Sequence, residues 1–100
     1  MSSSIDRFLQ IAIDKKASDI YLISDSEIAL KIEGEHVILS DMANQDELMQ
    51  FINEILPQHV KDAVLSRKEV DVIYSYGGHR FRMNVHFQSG ALAFSVRLIP

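Results

Sequence analysis

The chain has 100 residues, of which 47% are hydrophobic and 24% charged, with a formal net charge of -4. That length and composition suit one globular domain with a core of its own. The negative balance argues against binding nucleic acid or an anionic membrane through overall charge, so no nucleic-acid partner is expected. There is no cysteine, which excludes a disulfide framework and a thiolate metal site and suits a reducing cytosol.

The opening residues, Met1-Ser2-Ser3-Ser4, lack the apolar run of a signal peptide. Ser3 or Ser4 can cap a first helix, and Ser3 with Asp6 resembles a capping box. Ile5, Phe8, Leu9, Ala12 and Ile13 recur at helical spacing as one apolar stripe, and Lys15 and Lys16 fall in its expected last turn. A helix this short is marginal alone, so the stripe reads as core.

Ser18 to Ser24 reads as a strand apolar on both faces, through Ile20 and Leu22 on one and Tyr21 and Ile23 on the other. Asp25-Ser26 breaks it. Ile28 to Ile32 is a second strand, Glu33-Gly34-Glu35 a hairpin turn, and His36 to Leu39 a third strand, with Ser40-Asp41 starting a loop.

Asn44 with Glu47 signals a capped second helix, whose stripe is Leu48, Phe51, Ile52, Ile55 and Leu56. Pro57 ends this helix or opens the next at its first turn. Val60, Val64 and Leu65 predict a short third helix to about Ser66, and Arg67-Lys68 is a charged connection.

From Glu69 the pattern changes to strict alternation. Val70, Val72, Tyr74 and Tyr76 take one side, with Asp71, Ile73 and Ser75 on the other. Gly77-Gly78 and Ser89-Gly90 are two-residue turn signals around His79 to Gln88. Such loops fix the register of a three-stranded meander. Tyr74 then faces Phe81, Val72 faces Met83, and Val70 faces Val85. On the last strand Val96 faces Met83, Phe94 faces Val85, and Leu92 faces Phe87. Every inward pair is apolar.

The outward side carries an anomaly. Arg82 falls opposite Arg97, with Arg80 two residues along the same strand. Like charges opposed across a sheet are destabilising. Two readings fit: a solvated polar face with splayed side chains, or guanidinium groups gathered to hold an anion such as phosphate, which their planar forks suit.

The order is helix, three strands, two helices, three strands, with no strand–helix–strand alternation. It predicts an α+β domain, an antiparallel sheet of about six strands with helices packed mainly on one face. The last strand runs into Ile99-Pro100 without a polar tail, so the chain is expected to be part of a longer one.

Catalytic machinery is not apparent. No glycine loop with a phosphate-binding lysine is present, and Gly77-Gly78 has the wrong spacing for one. His36, His59, His79 and His86 do not fall at metal-ligand spacing. No nucleophile stands beside a base. Asp71 is expected to neighbour Asn84 and lie near Arg82 as a structural polar pair.

Several stretches match a known family in order. They are Lys16-Ala17-Ser18-Asp19-Ile20-Tyr21-Leu22, Lys31-Ile32-Glu33-Gly34-Glu35, Glu69-Val70-Asp71-Val72, Arg80 through Gln88, and Phe94 through Pro100. Together they resemble the N-terminal domain of the type IV pilus retraction ATPases (the PilT/PilU group), within the type II/type IV secretion motor ATPases. The resemblance spans nearly the whole chain. Lys16 stands where the family signature has glycine, Tyr21 where it has histidine, and Ser89 where many members have arginine.

The resemblance implies a PAS-like domain over residues 1–100, preceding a RecA-like ATPase domain that binds ATP and Mg. It implies a homohexamer that is cytoplasmic, peripheral to the inner membrane and engaged with a pilus or secretion platform. Within it Arg80, Arg82 and Arg97 would reach ATP phosphates held by a RecA-like domain, and hydrolysis would drive pilus retraction, hence twitching motility. This domain alone would bind no cofactor and hydrolyse nothing. The alternatives are a free-standing PAS-type sensor, with a chamber among Phe81, Met83, Phe94 and the helix stripes, or a protein-interaction domain.

Overall fold

Helical and alternating segments fold where their periodicities place them. The computed structural model describes residues 4–100. In chain order it contains α1 (Asp6–Asp14), β1 (Asp19–Ile23), β2 (Ser26–Ile32), β3 (Glu35–Ala43), α2 (Gln45–Ile55), α3 (Gln58–Leu65), β4 (Val70–Tyr76), β5 (His79–Gln88) and β6 (Ala91–Ile99). The strands form one antiparallel sheet in the order β3-β2-β1-β6-β5-β4. This is the expected α+β architecture.

Each meander is built from local hairpins. The turns Glu33-Gly34, Gly77-Gly78 and Ser89-Gly90 all hold positive φ at both residues, as a two-residue turn matched to strand twist requires. The predicted register follows: Tyr74 pairs with Phe81, Val72 with Met83, Val85 with Phe94, and Met83 with Val96. The two meanders meet where β1 pairs with β6, from Asp19↔Arg97 to Ile23↔Ala93.

The helices lie over the inner side of the sheet. Phe51 of α2 is fully buried and meets Tyr74 edge-on at 5.2 Å and Phe94 at 5.5 Å. Such rings contribute about 0.5–1.5 kcal/mol beyond the area they bury. Around them Phe8, Leu9, Ile20, Leu22, Leu48, Phe81, Met83 and Val85 complete a single core. Two tyrosines of β4 tie α1 to the sheet: the Tyr74 hydroxyl donates to Asp6 Oδ1 and the Tyr76 hydroxyl to Gln10 Oε1, both at 2.9 Å. Arg7 pairs with Glu47, joining α1 to the start of α2.

Four expectations need correction or qualification. The Ser3 cap lies outside the described residues. Ser4 does not cap α1; its hydroxyl donates to the Glu47 carbonyl at 2.6 Å, and the residue before the helix, Ile5, makes no side-chain cap. Lys15 and Lys16 follow α1 instead of forming its last turn. The helix stops because Lys16 turns left-handed at φ 56°. The Lys16 N–H then reaches the Ile13 carbonyl and the Ala17 N–H that of Ala12, a Schellman closure. Finally, Ser40-Asp41 is not a loop. β3 continues to Ala43 through an irregularity opposite Ile28, beyond which Glu27 pairs with Met42 and Ser26 with Ala43. A bulge lets a strand carry extra residues and still pair.

The expected cap of α2 is present in full: Glu47 N–H donates to Asn44 Oδ1 at 2.8 Å, and Asn44 N–H to Glu47 Oε1 at 3.2 Å. Pro57 follows the end of α2 as expected, and it stands at the N-cap of α3, one residue before the first turn, which opens at Gln58.

Candidate functional site

Side chains alternate across a strand, so the odd residues of β6 and the even residues of β5 point away from the helices. β1 joins β6 in register and adds Asp19 and Tyr21 to the same outer face. No helix among the described residues covers this face. On it lies a depression of about 270 Å³ lined by Asp19, Tyr21, Asp71, Arg82, Asn84 and Arg97 among others.

Arg82 sits directly opposite Arg97, as the turn lengths require. Their side chains are 65% and 69% exposed. Arg80 shares the face but not the depression; it pairs along the backbone with Ser75 and Ile99, nearer the sheet end. The structure thus brings together two of the three arginines singled out from the sequence.

The like-charge opposition is relieved by carboxylates on both flanks. Arg97 Nε donates to Asp19 Oδ1 at 3.0 Å. Arg82 Nη2 lies 4.0 Å from Asp71 Oδ2. Asp71 is also held by Asn84, whose Nδ2 donates to its Oδ1 at 3.2 Å and to Glu69 Oε1 at 2.7 Å. The polar pairing expected of Asp71 is therefore present. His86 shares a 2.7 Å contact with Asn84 Oδ1 at the rim.

Asp19 is the buried member of the site, at 6% exposure. Burial, the largest single influence, would raise its pKa. Hydrogen bonds from Ser18 Oγ (2.7 Å) and Arg97, with the charges of Arg97 and Lys31, outweigh it and hold the carboxyl below its ordinary value. The same bond to Asp19 raises the Arg97 pKa further. Both groups are charged across the working pH range.

Sequence reasoning missed Asp19. It lies 78 positions from Arg97 in the chain, and nothing in the local pattern states that β1 inserts beside β6. Tyr21, noted as a strand residue and as a departure from the family signature, was not read as part of the site. On the outer face it stacks on His36 with ring centroids 5.7 Å apart.

The arrangement suits an oxyanion with several oxygens: two guanidinium groups side by side on an uncovered surface, one fixed from behind. Guanidinium and phosphate match in charge and in planar geometry. Phosphate therefore fits the donor set present. A ligand-enclosing sensor would instead use the opposite layer. There Phe81, Met83 and Phe94 are buried within the continuous core, and the depression opens on the other side of the sheet.

The fold is an α+β domain similar to part of solved secretion and pilus motor ATPases. No protein-family model matches the chain, and no curated protein does. Solved structures do. The pilus retraction motor PilT with bound ADP aligns at a TM-score of 0.81 and 25% identity over 100% of this chain and 30% of that one. The ATPase DotB of Legionella pneumophila aligns at 0.78 and 26% identity, over 99% of this chain and 30% of that one. DotB of Yersinia pseudotuberculosis aligns at 0.67 and 21% identity, over 96% of this chain and 29% of that one, a likeness of fold. The resemblance read from the sequence to the PilT group thus extends to the three-dimensional structure. The chain spans about 30% of the length of the two ATPases first named. Among the described residues no helix is long and apolar enough to cross a membrane.

Proposed function

We propose that this chain is the N-terminal domain of a hexameric pilus or secretion motor ATPase. Its outer sheet face presents Arg82 and Arg97, with Arg80 beside them, to the phosphates of ATP held on a RecA-like domain. In that position the arginines neutralise charge on the γ-phosphate and report nucleotide state to the sheet. ATP with Mg, bound by the ATPase domain, supplies the phosphoryl-transfer chemistry. The residues of this chain position and screen. The likeness to a pilus retraction motor supports retraction as the output. The cytoplasmic ring, the inner-membrane platform and twitching motility belong to the proposal through the family resemblance read from the sequence.

The observation that carries the reading is the direct opposition of Arg82 and Arg97 on a face that the chain's own described elements leave open. Asp19 and Asp71 flank the two guanidinium groups, yet both arginine side chains stay largely exposed, with N–H groups left to meet a polyanion.

The test is ATP hydrolysis by the protein carrying this domain together with its ATPase domain. Arg82→Ala and Arg97→Ala are each expected to lower turnover at least about tenfold, with about 10³-fold or more if either arginine contacts the transferring phosphoryl group in the transition state. Arg82 is exposed and loosely paired, so its variant should leave far-UV circular dichroism and the urea midpoint nearly unchanged. Arg97→Ala takes a partner from the buried Asp19 carboxylate and should lower the midpoint, so its turnover is compared at a temperature where circular dichroism shows it folded. Wild-type turnover and nucleotide affinity in both variants would discard the role.

A further inference from the structure

The two arginine–carboxylate pairs in the outer depression are built differently. Asp19 is buried and held on both oxygens, by Ser18 Oγ at 2.7 Å and Arg97 Nε at 3.0 Å. That bond occupies one N–H of the guanidinium and leaves its two Nη groups for another partner. Asp71 is 56% exposed and stands 4.0 Å from Arg82. That is a loose contact between solvated side chains, the class of ion pair that contributes little. Its other oxygen already has a donor in Asn84, so Asp71 keeps a partner if Arg82 leaves it. The formal charges of Arg82, Arg97, Asp19 and Asp71 cancel.

From this asymmetry we propose that the depression is a phosphate clamp with one fixed arm and one guarded arm. Asp19 is a positioning residue that aims Arg97 outward. Asp71 is a resident stand-in anion on Arg82, which an incoming phosphate must displace. The proposal rests on the reading of this face as a phosphate site and adds the guard. A singly charged anion that displaces Asp71 only replaces one negative charge by another. A multiply charged phosphate gains at least one further charge interaction with both arms. The guard therefore selects for polyanionic phosphate over carboxylates and halides. It also makes opposite predictions for two aspartates in one depression.

The experiment titrates the chain with inorganic pyrophosphate and, separately, acetate through the millimolar range, following backbone amides and arginine Nε–Hε signals by NMR. Asp71→Asn is expected to tighten pyrophosphate about fivefold, the scale of one exposed ion pair removed from competition. It should also narrow the preference over acetate. Asp46→Asn makes the same change of net charge in the first turn of α2 and should leave both affinities alone. Asp19→Asn is expected to weaken pyrophosphate binding and to abolish the distinct, hydrogen-bonded Nε–Hε signal of Arg97. Asp71 is exposed, so its variant keeps the test valid if Asp19→Asn fails to fold. Equal or weaker binding by Asp71→Asn, or equal tightening by Asp46→Asn, overturns the guard while leaving the phosphate site standing. No binding of pyrophosphate by well-folded wild type overturns the site itself.

Discussion

Lys16 and Arg67 form a matched pair for a stability measurement. Each directly follows the C-cap residue of a helix, each is left-handed (φ 56° and 66°), and each closes a Schellman arrangement. For Arg67 the bonds run from its N–H to the Val64 carbonyl and from the Lys68 N–H to that of Ala63. A side chain in this conformation costs about 1–2 kcal/mol that glycine avoids. Glycine gives back about 0.5–1 kcal/mol through the freedom it adds to the unfolded chain. Lys16→Gly should therefore stabilise by about 0.5–1 kcal/mol. Arg67→Gly should gain the same backbone relief, but the Arg67 guanidinium lies 3.8 Å over the Phe87 ring. Losing that cation–π contact costs about 0.5–1 kcal/mol at an exposed site. The two contributions cancel, and Arg67→Gly should sit near zero. The assay is equilibrium urea unfolding, with the slope m unchanged and the midpoint of Lys16→Gly raised by about 0.5 M. Destabilisation by Lys16→Gly, or an equal gain at both sites, would refute the reasoning.

Other outcomes follow from the packing and the charges. Phe51→Ala removes a fully buried ring set against Tyr74 and Phe94; it should cost about 3–5 kcal/mol, read as a large drop in urea midpoint. Asn44→Ala removes half of the reciprocal cap on α2 and should cost about 1 kcal/mol, with helical signal lost first on mild heating. The Glu47 carboxyl is held below its ordinary pKa by the hydrogen bond from Arg7, against burial, and Asp19 is depressed as well. Carboxyls depressed in the folded state add stability that is present in full above the unfolded carboxylate pKa and is lost as pH falls through the folded value. Unfolding free energy should therefore decline below about pH 5. Arg7→Ala should flatten that acid limb and leave a shallower one from Asp19; an unaltered limb would show that Glu47 is not depressed.

Local chemistry carried most of the fold. Gly77-Gly78 and Ser89-Gly90 can each close only one short hairpin, so the register, and with it Arg82 opposite Arg97, was legible residue by residue. The Asn44–Glu47 cap was legible for the same reason, since both partners lie within one turn. What stayed hidden was non-local. The pairing of β1 with β6 depends on the whole topology, and it alone brings Asp19 to Arg97. The opposed arginines therefore looked more exposed to mutual repulsion than they are. The continuation of β3 to Ala43 was hidden because an irregular register breaks the alternation on which strand recognition rests. Ser4 failed as a cap because a distant carbonyl, that of Glu47, claimed its hydroxyl.

The seam between the meanders also constrains how the molecule is made. β1 lies at Asp19–Ile23 and its neighbour β6 only at Ala91–Ile99. During synthesis the early hairpins leave the ribosome with one lateral margin of β1 unzipped, carrying Ile20 and Leu22, until the closing segment emerges. Nascent chains halted before residue 91 should therefore be sticky and protease-sensitive, and release of the remainder should render them inert in a single step.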